Sequence, residues 1–455
     1  MVRRRAAHGR LRLHKAAGRA ELAWARAVLE ADPAQAAALD PRLATPLHYA
    51  AAGWRSLHAA GMPGPPRLLD NARPTAREAV VRLLIAAAPQ RAASVDGELQ
   101  TPLHRAAACG HLGALRLLLA AAPAAAALPD LWGSLPLHWA ARVPGGAAAV
   151  AALLVAAPWA ARTPNGSGET PLLLAAEADE ASALALLAAA PAAAALPAGD
   201  RSPHARCLPL HVAARFGRPA LVAALLEAAP ASASRAGLHD QLPLHYAAAG
   251  RQPGHHAVRR MLLAAAPEAA TALGRGYTAL HLAAIEGNAA AVAQLLAAAP
   301  GATALGCAQG EGATPLRLAL RPRTAEGPDG LAAARLLLAA DPAEAAAHTL
   351  AQAVHDYHVR ERALRLLPEL VARWALPPAA WAELPRGCAG LEAALPAVLA
   401  RSEAEAALLV GCLPAEARGR LRCRALCLAR LQRRAGAPLP VPVLQRVLSL
   451  AAVAT

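Results

Sequence analysis

One tetrapeptide, written TPLH or a close variant, starts at Thr45, Thr101, Leu135, Thr170, Leu208, Leu242, Thr278 and Thr314. Successive starts lie 56, 34, 35, 38, 34, 36 and 36 residues apart. A second phrase, LLxAAP in variants, follows each tetrapeptide and ends at Pro89, Pro123, Pro158, Pro191, Pro230, Pro267, Pro300 and Pro342. Two phrases that keep phase over most of a chain define a repeated supersecondary unit. A chain about three times a typical domain length therefore reads as one repeated architecture.

Each unit reads as a helix hairpin. Threonine before proline supplies an N-cap and a first-turn residue, the small pair after it lets helices pack closely, and LLxAA gives a second apolar stripe before proline ends the helix. A single hairpin cannot cover its apolar face, so neighbours must stack. Composition agrees: 56% of residues are apolar but only 3% aromatic, with alanine dominant, which suits many thin helices better than one bulky core.

The segments TPLHYAAAG, TPLHRAAACGH, LPLHWAA, LPLHVAARFG, LPLHYAAAG and TALHLAAIEGN resemble the ankyrin repeat, whose period is about 33 residues and whose hallmark is T-P-L-H-x-A. LRLHKAAGRAELAWARAVLEADP places His14 34 residues before His48 and resembles a degenerate first unit. The resemblance implies an all-α ankyrin-repeat solenoid of about nine helix-hairpin units over residues 11–345. A basic N-terminal tail (1–10) precedes it and a helical C-terminal region (346–455) with a basic end follows it. Leucine replaces the capping threonine at Leu135, Leu208 and Leu242, and histidine becomes Leu173 and Arg317 in two units. A lost cap costs about 1 kcal/mol, so some units are expected to be softer than others.

The net charge of +15 sits at the ends of the sequence. Residues 1–20 carry seven basic groups and no acid, residues 417–455 carry eight and no acid, and the charges between cancel. Attraction to phosphates or acidic partners is thereby confined to the two ends, and nucleic acid is not the expected partner. Lys15 is the only lysine, isoleucine occurs only at Ile85 and Ile285, and phenylalanine only at Phe216. That pattern of GC-rich codons weakens any argument from arginine content. Seven cysteines without a paired framework or an apolar leader point to reduced thiols in the cytoplasm or nucleus. The arginine-rich start is acid-poor like a mitochondrial presequence but lacks serine. Two uncharged 19-residue stretches, Val143 to Ala161 and Ala181 to Gly199, are broken by proline and fall on second helices, so no membrane span is expected.

His48, His104, His138, His211, His245 and His281 form a ladder with one member per unit. Its steps of about 10 Å are too long for shared metal bonds near 2 Å, and the resemblance implies a structural role. His355 with His358, and Cys423 with Cys427, each offer two metal ligands without a clear second pair, so no metal or cofactor is expected. No phosphate-cradling loop, nucleophile elbow or paired-carboxylate motif stands out, and the chain is not expected to be an enzyme.

The resemblance implies a non-catalytic scaffold that binds a protein partner through hairpin tips and the first helices. The residues carried over are those just after H-x-A-A: Arg142 with Val143, Glu177 with Ala178, Arg215 with Phe216, Ile285 with Glu286, and Arg321. The 56-residue first step hides an insertion, Trp54 to Pro74, whose Trp54 and leucines could dock on a partner. The helical end region is expected to cap the array, with the whole chain a monomer. Leu439, Pro440, Val441 and Pro442 resemble part of the suppressor-of-cytokine-signalling box, and the last segment also has the opening of an F-box. The alternative reading is thus a substrate-recognition adaptor of a ubiquitin ligase.

Overall fold

The computed structural model describes residues 12–53, 74–308, 313–320, 328–340, 366–369, 371–372, 381 and 391–423. Among them the helices come in nine pairs. The first helices are α1 (Arg12–Gly18), α3 (Pro46–Ala52), α5 (Pro102–Ala108), α7 (Pro136–Ala141), α9 (Pro171–Ala178), α11 (Pro209–Phe216), α13 (Pro243–Ala249), α15 (Ala279–Ile285) and α17 (Pro315–Ala319). The second helices are α2 (Leu22–Ala31), α4 (Pro74–Ala87), α6 (Leu112–Ala121), α8 (Ala147–Ala156), α10 (Glu180–Ala189), α12 (Pro219–Ala228), α14 (Pro253–Ala265), α16 (Ala289–Ala298) and α18 (Pro328–Ala340). Further on come α19 (Leu395–Arg401) and α20 (Glu403–Cys412). No strand forms among the described residues beyond an isolated bridge between Gly274 and Tyr277.

The described residues up to Ala247, together with Gln252–Ala266, make one compact unit; Ala248–Arg251 and the described residues from Pro267 onward make a second. In the first, α1, α3, α5, α7, α9 and α11 stack in chain order, and α2, α4, α6, α8, α10, α12 and α14 stack beside them. In the second, α15 packs on α17 and α16 on α18, while Val398, Leu409 and Val410 bury the α19–α20 contact. The leucine before each ladder histidine is buried, as at Leu47, Leu103, Leu137, Leu210 and Leu280, and so are Leu118, Leu153, Leu186, Leu225 and Leu295 of the second helices. That alternation of two buried rows is the period of the sequence made physical.

The proline after LLxAA does more than end a helix. It opens a 3-10 turn, as in Pro123–Ala127, Pro158–Arg162 and Pro191–Ala195, with its missing N–H placed where none is needed. The alanine before it is driven out of the helical region, to φ near −145° and ψ near 76° at Ala122, because the proline ring crowds that residue.

The expected capping holds, with a refinement. Thr101 and Thr278 accept from the amides of His104 and His281, and Thr170 and Thr314 accept from those of Leu173 and Arg317. Where leucine stands at the cap, the histidine supplies the other half of the box: Nδ1 accepts from the cap amide of Leu135, Leu208 and Leu242, each at 3.0 Å. Every unit from Thr45 to Thr314 keeps the threonine or the histidine. None of them loses both.

Candidate protein-binding surface

The ladder histidines are structural. Nδ1 accepts from a backbone amide, so the proton of the neutral ring sits on Nε2, which donates to a carbonyl at the start of the next unit: His48 to Gln100 (2.9 Å), His104 to Ser134 (3.1 Å), His138 to Thr163 (3.0 Å) and His281 to Ala313 (3.2 Å). His14 Nε2 reaches Ala44 in the same way. Burial holds His48, His104, His138 and His211 at a pKa of about 4 and also lowers that of His281. With both nitrogens of such a ring engaged, no lone pair is left for a metal.

A second set of bonds ties neighbouring units together near the starts of several second helices. His111 Nδ1 bonds the Ala51 carbonyl at 2.8 Å, Arg218 donates to Glu177 at 2.6 Å and His255 bonds Arg215 at 2.9 Å. In the second compact unit Asn288 donates to Gly250 at 2.7 Å and Arg251 donates to the Glu286 carbonyl. The side chains carried over from the sequence therefore stand on a seam whose carbonyls bind the neighbouring unit. Arg142, Glu177, Arg215 and Glu286 are exposed, while Phe216 and Ile285 are half-buried. Glu177 pairs with His204 at 3.2 Å, Arg215 lies over the Phe216 ring at 5.9 Å, and Ile285 packs against Cys307, Ala313 and Leu318. Trp54 and Arg321 lie outside the described residues, as does the insertion up to residue 73. His355, His358, Cys427 and the Leu439–Pro442 segment lie outside them too.

The tips between units hold residues that sequence reasoning passed over. The tips at Asp40, Asp96 and Asp130 are Asx-type turns. One carboxylate oxygen of Asp40 accepts from the amides of Arg42 and Ala44, and Asp96 and Asp130 do the same for the amides two and four residues on. The other oxygen accepts from a donor nine residues later on the first helix: Tyr49 Oη at 2.6 Å, the Arg105 guanidinium at 2.7 Å and Trp139 Nε1 at 2.8 Å. Burial, reinforced by the bond to Asp40, raises the Tyr49 pKa, so the phenol remains a donor. Successive tips are then joined by backbone bonds, Gly97 to Arg42 (2.7 Å), Leu131 to Glu98 (2.9 Å) and Gly166 to Trp132 (2.8 Å).

On this braced edge sit Leu43, Leu99, Leu131 and Trp132, exposed by 53%, 46%, 62% and 49%. Leu43 and Leu99 hold positive φ (60° and 57°), a strained conformation for leucine that the turn imposes. Trp132 meets Trp139 edge-on at 6.2 Å between ring centroids. The available signal was the Asp followed nine residues later by Tyr, Arg or Trp, which places each tip.

Residues 84–140 match a family model described as ankyrin repeats (many copies), and residues 275–305 match one described as ankyrin repeat. The matched segments carry His104, His138 and His281 of the ladder, with their caps. The chain contains ankyrin repeats. Among solved structures it is similar to the crystal structure of human ASB11 ankyrin repeat domain, at 23% identity and a TM-score of 0.43, over 53% of this chain and 98% of that one. A comparison with curated proteins finds no match. No helix among the described residues is long and apolar enough to cross a membrane.

Proposed function

We propose that this ankyrin repeat protein is a non-catalytic interaction module that grips a protein partner with the tip row Leu43, Leu99, Leu131 and Trp132. Ankyrin repeats support a protein–protein interaction role, and the partner-binding residues are our own reading. The observation that carries it is the row itself: four large apolar side chains, each at least 46% exposed, on tips braced by Asp40, Asp96 and Asp130. Exposed apolar side chains of this size, gathered on a rigid edge, mark binding surfaces, and a preordered edge loses little entropy on binding. Arg142, Glu177, Arg215 and Phe216 would extend the contact along the ends of the first helices. The described cysteines Cys109, Cys207, Cys307, Cys412 and Cys423 are free thiols, which supports a cytoplasmic or nuclear site of action.

The test is affinity purification with the full chain and with Leu131→Asp/Trp132→Ala. Loss of specific partners from the variant, with its melting temperature unchanged, is the expected result. An unchanged partner set would remove the tip row from the account.

A further inference from the structure

The outer face of the first compact unit is unusual for a surface of helices. α6, α8, α10 and α12 are each ten residues long and stack in that order, so equivalent positions line up across the face. The ninth position reads Ala120, Val155, Ala188, Glu227, all exposed, and Val155 is 85% exposed. The second residue of the following 3-10 turn reads Ala124, Trp159, Ala192, Ala231, and Trp159 is 53% exposed. No charged residue occurs in 143–161 or 181–199, so α8 and the body of α10, from Ala181 on, present an apolar face. Charge borders this face, with Glu180 at the start of α10, exposed Arg162 at the end of the turn after α8, and exposed Arg116 on α6 and exposed Glu227 on α12 at the flanks.

We infer that this face pairs with a second copy of the chain. The commitment to a second copy comes from self-complementarity. A two-fold axis parallel to the helices and between α8 and α10 sets α8 of one copy on α10 of the other and α6 on α12. Val155 then meets Ala188 and Trp159 meets Ala192, bulk against small side chains, twice. Arg116 comes opposite Glu227 of the second copy, one helical turn apart along the axis and within reach of two long side chains, also twice. Ten helical residues and five 3-10 residues span roughly 25 Å, and four stacked helices roughly 40 Å, giving about 1,000 Å² per copy. A stable interface needs about 800 Å² per partner. The dimer replaces the monomer expected from the sequence and leaves the tip row, which lies on other residues, free for a different protein.

Sedimentation of the full chain from about 1 to 100 μM tests this. A concentration-dependent dimer is expected, and Val155→Glu should weaken it at least tenfold with an unchanged melting temperature. Arg116→Glu alone and Glu227→Arg alone should each weaken the dimer, and combining them should restore it, which fixes the register. A monomer throughout the range overturns the inference. So does a dimer indifferent to Val155→Glu, and a charge-swapped double variant no better than either single one refutes the pairing.

Discussion

His138 offers the sharpest separation of the capping account from generic packing. It is buried at 1% exposure in a unit whose cap is Leu135, so its Nδ1 is the side-chain group that pairs the Leu135 amide, while its Nε2–H pairs the Thr163 carbonyl. His138→Leu keeps the volume approximately and removes both bonds. Leaving a buried polar group unpaired costs about 1–3 kcal/mol, and of the two groups left unpaired, the Leu135 N–H and the Thr163 carbonyl, the second is only partly buried, so a loss of about 3 kcal/mol is expected. Leu135→Thr in that background recreates Thr-Pro-Leu-Leu, the sequence found at Thr170–Leu173, where the hydroxyl accepts from the Leu173 amide at 3.3 Å. It should return about 1 kcal/mol and no more, because the Thr163 carbonyl stays unpaired. Urea unfolding of the full chain measures the sum, and hydrogen exchange over residues 128–170 keeps the reading local, since repeat arrays can unfold in parts. A loss below about 0.5 kcal/mol for His138→Leu, or full rescue by Leu135→Thr, would refute the reasoning.

Stability should be greatest above pH 6.5 and should fall as pH drops toward 4. The unfolded chain binds protons there that His48, His104, His138 and His211 refuse while folded, at roughly 3 kcal/mol for each fully expressed shift; a flat pH profile between 7 and 4.5 would contradict the buried ladder. Leu210→Ala, at a fully buried position, should cost about 2–5 kcal/mol in thermal or chemical unfolding, whereas Arg215→Ala should stay within about 0.5 kcal/mol. Arg259→Leu should destabilise by about 1–3 kcal/mol because the buried guanidinium donates to the Ala247 carbonyl at 3.1 Å; an unchanged unfolding midpoint would show that bond to be dispensable.

Much of the fold was legible because a repeat states the same physics many times. The TPLH and LLxAA phrases located both helix rows, and the insertion after His48 did not disturb them: His48 still bonds Gln100, 52 residues on. The proline was read as a stop because helix rules penalise it inside a helix, and those rules say nothing of the 3-10 turn it begins. The leucine caps looked like plain losses since a pattern of residue types does not show that histidine Nδ1 can take the amide instead. The partner row was read one step away from the tips. Leu43 and Leu99 stand three residues after their tip aspartates but Leu131 and Trp132 stand one and two after Asp130, and their common support, an aspartate held by Tyr49, Arg105 or Trp139, links chemically different donors that no single motif captures.

Site-specific photo-cross-linking in the native cell tests the tip row most directly. A photoreactive residue at Leu131 or Trp132 should give discrete adducts with one or a few other proteins, while the same residue at exposed Glu227, on the outer face, should give none of those bands. Adducts of those proteins from Glu227, with none from Leu131 or Trp132, would contradict the claim that the tips hold the partner.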